Sequence, residues 1–236
     1  MDFNRYITPA NEEFRHGWVI KSMTSLARDS TNRKLLDVGA GASPYRDALL
    51  GLGYEYHSHD FNSYSPQTES SPGGLQNETW SYHSHDFVCD ILDIPSLHKY
   101  DFIVCTEVLE HVPDPVRAFS HMVSLLNPGG VLVVTVPFMS LMHQAPYWFQ
   151  SGLSPFWFEY WGARNSLATI EISVFGDYDD FMNQELTRTI PMLVKLRGLR
   201  FILNHVYQTL RRLRQPQNAE ILSSGGFGSV YIGKLL

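Results

Sequence analysis

Apolar residues along the first 140 positions fall into short unbroken blocks separated by segments of helical spacing. LLDV from Leu35, FIVC from Phe102 and VLVVTV from Val131 are near-continuous apolar runs, the pattern of strands covered on both faces. Ahead of them Phe14, Trp18, Val19, Met23 and Leu26 recur three and four apart, which predicts an amphipathic helix lying over one side of these strands. LLDVGAGASPY reads as a strand entering a glycine-rich turn, and RDALLGLG as a helix closed by Gly51 or Gly53. Further strands are predicted at Tyr54 to Asp60, Phe87 to Cys89, Tyr100 to Thr106 and Val131 to Pro137. A helix is predicted from Pro115 to Leu126, stopped by the NPGG at Asn127. Strands alternating with helices predict an α/β fold with a doubly wound, mostly parallel sheet.

The stretch from Asn62 to Thr79, rich in Ser, Pro, Gly, Gln and Asn, reads as a loop. Beyond Pro137 the pattern turns irregular and aromatic, from Tyr147, Trp148 and Phe149 to Phe156, Trp157, Phe158, Tyr160 and Trp161. This part reads as a cap over one edge of the sheet, and GSVYIGKL near the end returns to a strand. The chain is thus expected to be one domain. It would comprise a helical cover over 1–30, a core over 31–140, a cap with a basic helix over 141–220 and a returning strand over 221–236.

Composition agrees with a folded protein. Of 236 residues 44% are hydrophobic and 18% charged, enough apolar surface to offset the entropy of ordering. Two cysteines, Cys89 and Cys105, with no C-x-x-C pair, support neither a disulfide framework nor a thiolate zinc site, and they read as buried strand residues. No basic leader followed by an apolar stretch opens the sequence and no run approaches the ~18 apolar residues of a membrane span, so a cytoplasmic protein is expected. A net charge of −6 argues against a nucleic-acid partner, although Lys195 to Arg214 holds six basic residues and no acidic one.

In sheets of this kind ligands bind beyond the carboxyl ends of the strands, so the turn carrying Asp37, Gly39 and Gly41 is the first place to look for chemistry. A dinucleotide site wants a third glycine where this chain has Pro44, which disfavours that reading. Asp60 ends the second strand nineteen residues after Gly41, where a carboxylate can accept from both hydroxyls of a ribose. CDILDIP, TEVLEHV and NPGG-VLVVTVPF then come in order.

Over Lys34 to Phe138 this series resembles the class I S-adenosylmethionine-dependent methyltransferases. The resemblance implies S-adenosyl-L-methionine as cofactor. Asp37, Gly39 and Gly41 would line its methionine part and Asp60 its ribose. Asp90 and the backbone of Ile91 would meet the adenine, Asp90 being preferred to Asp86 on the D-x-x-D-x-P context, while Thr106, Glu107 and His111 would stand near the reacting end. The segment VPFMSLMHQAPYWF, through Pro137, Phe138, His143, Pro146 and Tyr147, is similar to bacterial polysaccharide methyltransferases. It departs from them at Trp148 and Gln150.

The acceptor implied is a sugar hydroxyl of a bacterial surface glycan or its precursor. A small aromatic or apolar metabolite is the alternative, and a catalytically silent cofactor-binding scaffold subunit a third reading. Displacement at a sulfonium needs mainly an in-line acceptor, whereas a hydroxyl must also lose its proton. His143, in the loop after the fifth strand, is the preferred general base and His111 the second candidate. The repeated YHSHDF at Tyr56 and Tyr82 and the acidic GDYDDF around Asp177, Asp179 and Asp180 invite a metal reading. Strand alternation puts His57 and His59 opposite Asp60, so structural roles are expected and no metal site. The aromatic run serves equally as an acceptor wall or as the cap's own core. Leu196, Leu199, Leu203, Val206, Leu210 and Leu213, interleaved with Arg197, Arg200, Arg211, Arg212 and Arg214, make a basic amphipathic helix. It suits packing against the body, a homodimer seam, or peripheral contact with a membrane or lipid-linked glycan.

Overall fold

The computed structural model describes residues 9–28, 33–64, 84–176, 178–193, 197–213 and 228–236. The predicted strands appear as β1 (Lys34–Val38), β2 (Glu55–Asp60), β3 (Phe87–Val88), β4 (Tyr100–Thr106) and β5 (Leu126–Pro137). Two more, β6 (Leu167–Phe175) and β7 (Gly228–Leu235), complete a seven-stranded sheet of order β3-β2-β1-β4-β5-β7-β6. The first five run parallel, while β7 lies antiparallel between β5 and β6. Strand order reverses between β1 and β4, and there the carboxyl ends of the strands open a crevice.

Alternation along β1, β4 and β5 divides the core into two layers. On one face Leu36, Ile103, Leu132 and Val134 pack with Phe119 and Met122 of α3 (Pro115–Ser124) and Phe158 of α4 (Pro155–Arg164). On the other Leu35, Val104 and Val133 meet Val19 and Met23 of α1 (Pro9–Arg28) and Leu49 of α2 (Arg46–Gly51). The N-terminal helix thus covers the sheet as its spacing predicts, although Phe14 is half exposed and stacks on Phe175 of β6.

Helix starts reflect local chemistry. Asp114 caps α3 by accepting from the Arg117 amide at 3.0 Å, and Ser154 caps α4 at Trp157, each with proline in the first turn. α3 stops at Ser124, two residues before its predicted end, because Leu126 already pairs with Tyr100.

The aromatic run divides. Phe158 is wholly buried and stacks on Tyr231 of β7, and Trp157 stands edge-on to Phe119, so this half is core. Tyr147 instead reaches toward the carboxyl edge of the sheet. α5 (Tyr178–Leu193) and α6 (Arg197–Leu213) come after β6 and pack along one another, with Gln208 donating to Asn183 at 2.6 Å. No described helix is long and apolar enough to cross a membrane. Most of the 62–79 loop, Tyr82 and His83 of the second YHSHDF, Asp177, Lys195, Leu196 and Arg214 lie outside the described residues. So do the side chains of Asp179, Arg197, Arg200, Arg211, Arg212 and Leu213.

Candidate active site

The turn after β1 is built from backbone. Gly39 has φ +68° and Gly41 φ +52°, a region open to glycine at little cost, and a Cβ on Gly39 would stand 2.3 Å from Val108 Cγ2. The Ala40 amide donates to the His59 carbonyl at 2.9 Å, tying the turn to β2. Asp60, buried at the end of β2, accepts from the Gly41 amide at 3.0 Å and from the Asn62 amide at 2.8 Å. One carboxylate therefore fixes both the glycine turn and the start of the next loop.

Asp37 is buried in β1 and receives the Tyr56 hydroxyl at 2.7 Å. Burial raises its carboxyl to about 7, outweighing the hydrogen bond from Tyr56, and nearby Asp60 adds to the rise. Such a group favours a cation as neighbour. Asp90 lies just beyond β3 and caps the turn Ile91–Asp93 through the Leu92 amide at 2.8 Å. Asp86 sits at the opposite end of β3, where it accepts from the Ser58 amide and hydroxyl. The Ile91 side chain enters the core. Thr106 ends β4. Glu107 comes next with φ +54°, accepts from the Thr135 hydroxyl at 2.9 Å and lies 3.4 Å from Arg15. Glycines that let backbone approach, with acidic side chains on three neighbouring strand ends, fit a cofactor carrying ribose hydroxyls and positive charge.

Leu109–His111 forms a tight turn shortly after β4 that carries His111, and the loop after β5 brings His143 to it, for the two rings meet edge to face at 4.8 Å. His111 Nδ1 faces the Tyr147 carbonyl at 2.5 Å, and burial together with His143 lowers its pKa to about 4. His143 Nδ1 faces the Leu141 carbonyl at 3.0 Å. Carbonyls only accept, so each Nδ1 carries a proton, and in the neutral form of either ring the lone pair lies on Nε2. Across the crevice Phe61 stands edge-on to Tyr147 at 5.0 Å, so the loops after β2 and β5 meet above the site.

Glu110, which the sequence reading did not single out, is wholly buried beside this pair, and burial with the negative Glu107 pushes its carboxyl well up. A second acid inside the otherwise apolar EVLEHV was the signal for it. Arg15 reaches the site from α1, a helix that the hydrophobic pattern marked only as a cover. Of the first YHSHDF, His59 is buried against the Cys89 carbonyl and His57 pairs with Glu55. Cys105 is buried and Cys89 half-buried.

A family model described as a methyltransferase domain matches residues 12–176. The ubiquinone biosynthesis O-methyltransferase of Psychrobacter arcticus is 28% identical over 103 residues, 44% of this chain and 40% of that protein. The reducing polyketide synthase ppsB of Aspergillus oryzae is 29% identical over 111 residues, 42% of this chain and 4% of that protein. The chain thus spans less than half the length of these curated relatives. A SAM-dependent methyltransferase from Archaeoglobus fulgidus shares the fold, with TM-score 0.55 and 16% identity over 94% of this chain and 96% of that one. With the family match covering most of its length, the chain belongs to the S-adenosylmethionine-dependent methyltransferases of class I.

Proposed function

We propose that the protein methylates a hydroxyl of a ring-bearing, apolar acceptor such as a phenol or quinol. The observation that carries this reading is the histidine pair beside the end of β4, whose Nδ1 atoms face backbone carbonyls so that the neutral form of each ring has its lone pair on Nε2. When bound, S-adenosylmethionine supplies an electrophilic methyl group on its sulfonium. Asp37, Gly39, Gly41, Asp60, Asp90, the Ile91 backbone, Thr106 and Glu107 would hold it. His143 or His111 takes the acceptor's proton, and Phe61 and Tyr147 offer ring faces to orient the acceptor. A base with the depressed pKa of His111 suits a phenolic hydroxyl better than the far less acidic hydroxyl of a sugar. The glycan acceptor expected from VPF, His143 and Pro146–Tyr147 is the second reading, supported only by His143 and Tyr147 both meeting His111.

Labelled methyl transfer to a panel of phenols, quinols and sugars separates the two. Phenolic turnover is expected, falling roughly 10²–10⁴-fold in His143→Ala or His111→Ala. Turnover confined to sugars would favour the glycan, and full activity in both variants would remove the general base.

An apolar acceptor fits a protein that visits membranes. α6 leaves Leu199, Phe201, Ile202, Val206 and Leu210 exposed, and its sequence holds Arg197, Arg200, Arg211 and Arg212 with no acid. Sedimentation with anionic but not neutral liposomes is expected. Arg211→Gln with Arg212→Gln should weaken it roughly 30-fold, at ~1 kcal/mol per charge. A parent protein that ignores anionic liposomes would refute this membrane role.

A further inference from the structure

We propose that Glu110, His111 and His143 form a binding site for a divalent transition-metal ion of the zinc, manganese or cobalt class at the end of β4. One ligand atom from each lies within 4.8 Å of the other two, the single such group among the described residues. Glu110 has no exposed surface, and neither of its carboxylate oxygens has a hydrogen-bond partner. His111 Nε2 is likewise buried without a hydrogen-bond partner, 3.7 Å from Glu110 Oε1, too far for a shared proton.

A buried polar group left in this state destabilises the fold, the more so when charged. The two imidazoles are already oriented as metal-binding ones are, each holding a backbone carbonyl through Nδ1 so that Nε2 presents its lone pair. The cluster is therefore a set of acceptors converging where a cation would satisfy them. The neighbouring cation, Arg15, is engaged by Glu107 at 3.4 Å and makes no hydrogen bond to the Glu110 carboxylate.

Two imidazoles and one carboxylate suit zinc, manganese or cobalt better than magnesium or calcium, which prefer oxygen throughout. Three protein ligands also leave a coordination position open. With a metal bound both Nε2 lone pairs are engaged, so the two histidines would serve as ligands in place of bases; a coordinated acceptor hydroxyl would then give its proton to solvent more readily, a consequence that rests on the hydroxyl-acceptor reading, whereas the binding site does not. The sequence pattern predicted no metal site, and His143 lies thirty-two residues from His111.

The test is titration of the chelator-treated 236-residue chain with cobalt(II), monitored by visible absorption and calorimetry. One equivalent should bind with a visible ligand-field band. Binding should fall at least about 100-fold in Glu110→Gln and in His143→Ala, both checked for folding by circular dichroism. The first variant keeps the shape of the buried side chain and the second alters a loop. No cobalt binding by the parent, or equal binding by parent and variants, overturns the proposal. Cobalt binding without methyl transfer to any hydroxyl supports the site and counts against the hydroxyl acceptor. Chelator-resistant transfer without cobalt binding does the reverse.

Discussion

Replacing Asp60 by alanine should abolish cofactor binding at working concentrations, a loss of at least about 100-fold in affinity. Two effects add. The variant removes the carboxylate that would receive the ribose hydroxyls, where a hydrogen bond to a charged group contributes about 1.5–3 kcal/mol. It also strands the Gly41 and Asn62 amides, so the turn that brings backbone to the cofactor keeps only its Ala40–His59 backbone tie to β2. Asp60→Asn separates these, because its amide oxygen can still accept from Gly41 while the charge is gone; its turn should hold and its affinity should fall less. Calorimetric titration with S-adenosylmethionine and S-adenosylhomocysteine reads both variants. Affinity within threefold of the parent in Asp60→Ala would mean that the cofactor is held elsewhere.

The second large effect concerns pH. Asp37 holds its proton in the folded chain up to about 7, whereas 3.8 is ordinary for an aspartate. The native state therefore binds the proton more tightly than the unfolded one. The stability that this group contributes is complete below about pH 4 and is lost as pH rises to about 7. A displacement of that size corresponds to about 4 kcal/mol. Asp37→Asn keeps an acceptor for the Tyr56 hydroxyl and removes the buried charge, so it should raise the melting temperature of the ligand-free protein at pH 8 by up to about 10 °C. At pH 4 the two proteins should melt together. The same variant should bind S-adenosylmethionine less well. In the parent, a positively charged ligand that stabilises the carboxylate should release protons on binding near pH 6, visible as a buffer-dependent enthalpy. A melting difference that does not change with pH would show that Asp37 is ionised throughout.

The cofactor half of the site was legible because it is written in contiguous pieces. Asp37 with its glycines, Asp60 and Asp90 each end a strand, and strands buried on both faces announce themselves as unbroken apolar runs. β6 was missed for the converse reason. Of LATIEISVF at the sheet edge only Leu167 and Phe175 are buried, so no apolar face marks it. The cluster of Glu110, His111 and His143 escaped because convergence across thirty-two residues depends on a tight turn after β4 and a loop after β5, neither of which has a periodicity. Arg15 was hidden similarly, since only the placement of α1 across the sheet brings it to Glu107.

The order in which the sheet can be assembled differs from the order of its strands in the chain. β7 pairs with both β5 and β6, so these two strands have no direct bond to one another. A chain leaving the ribosome can stack β1 to β5 while β6 waits, with an open edge on each side of the gap, until residues 228–235 arrive to fill it. The cofactor crevice thus belongs to the part that is synthesised first, and β7 acts as the bolt that joins this early half to β6.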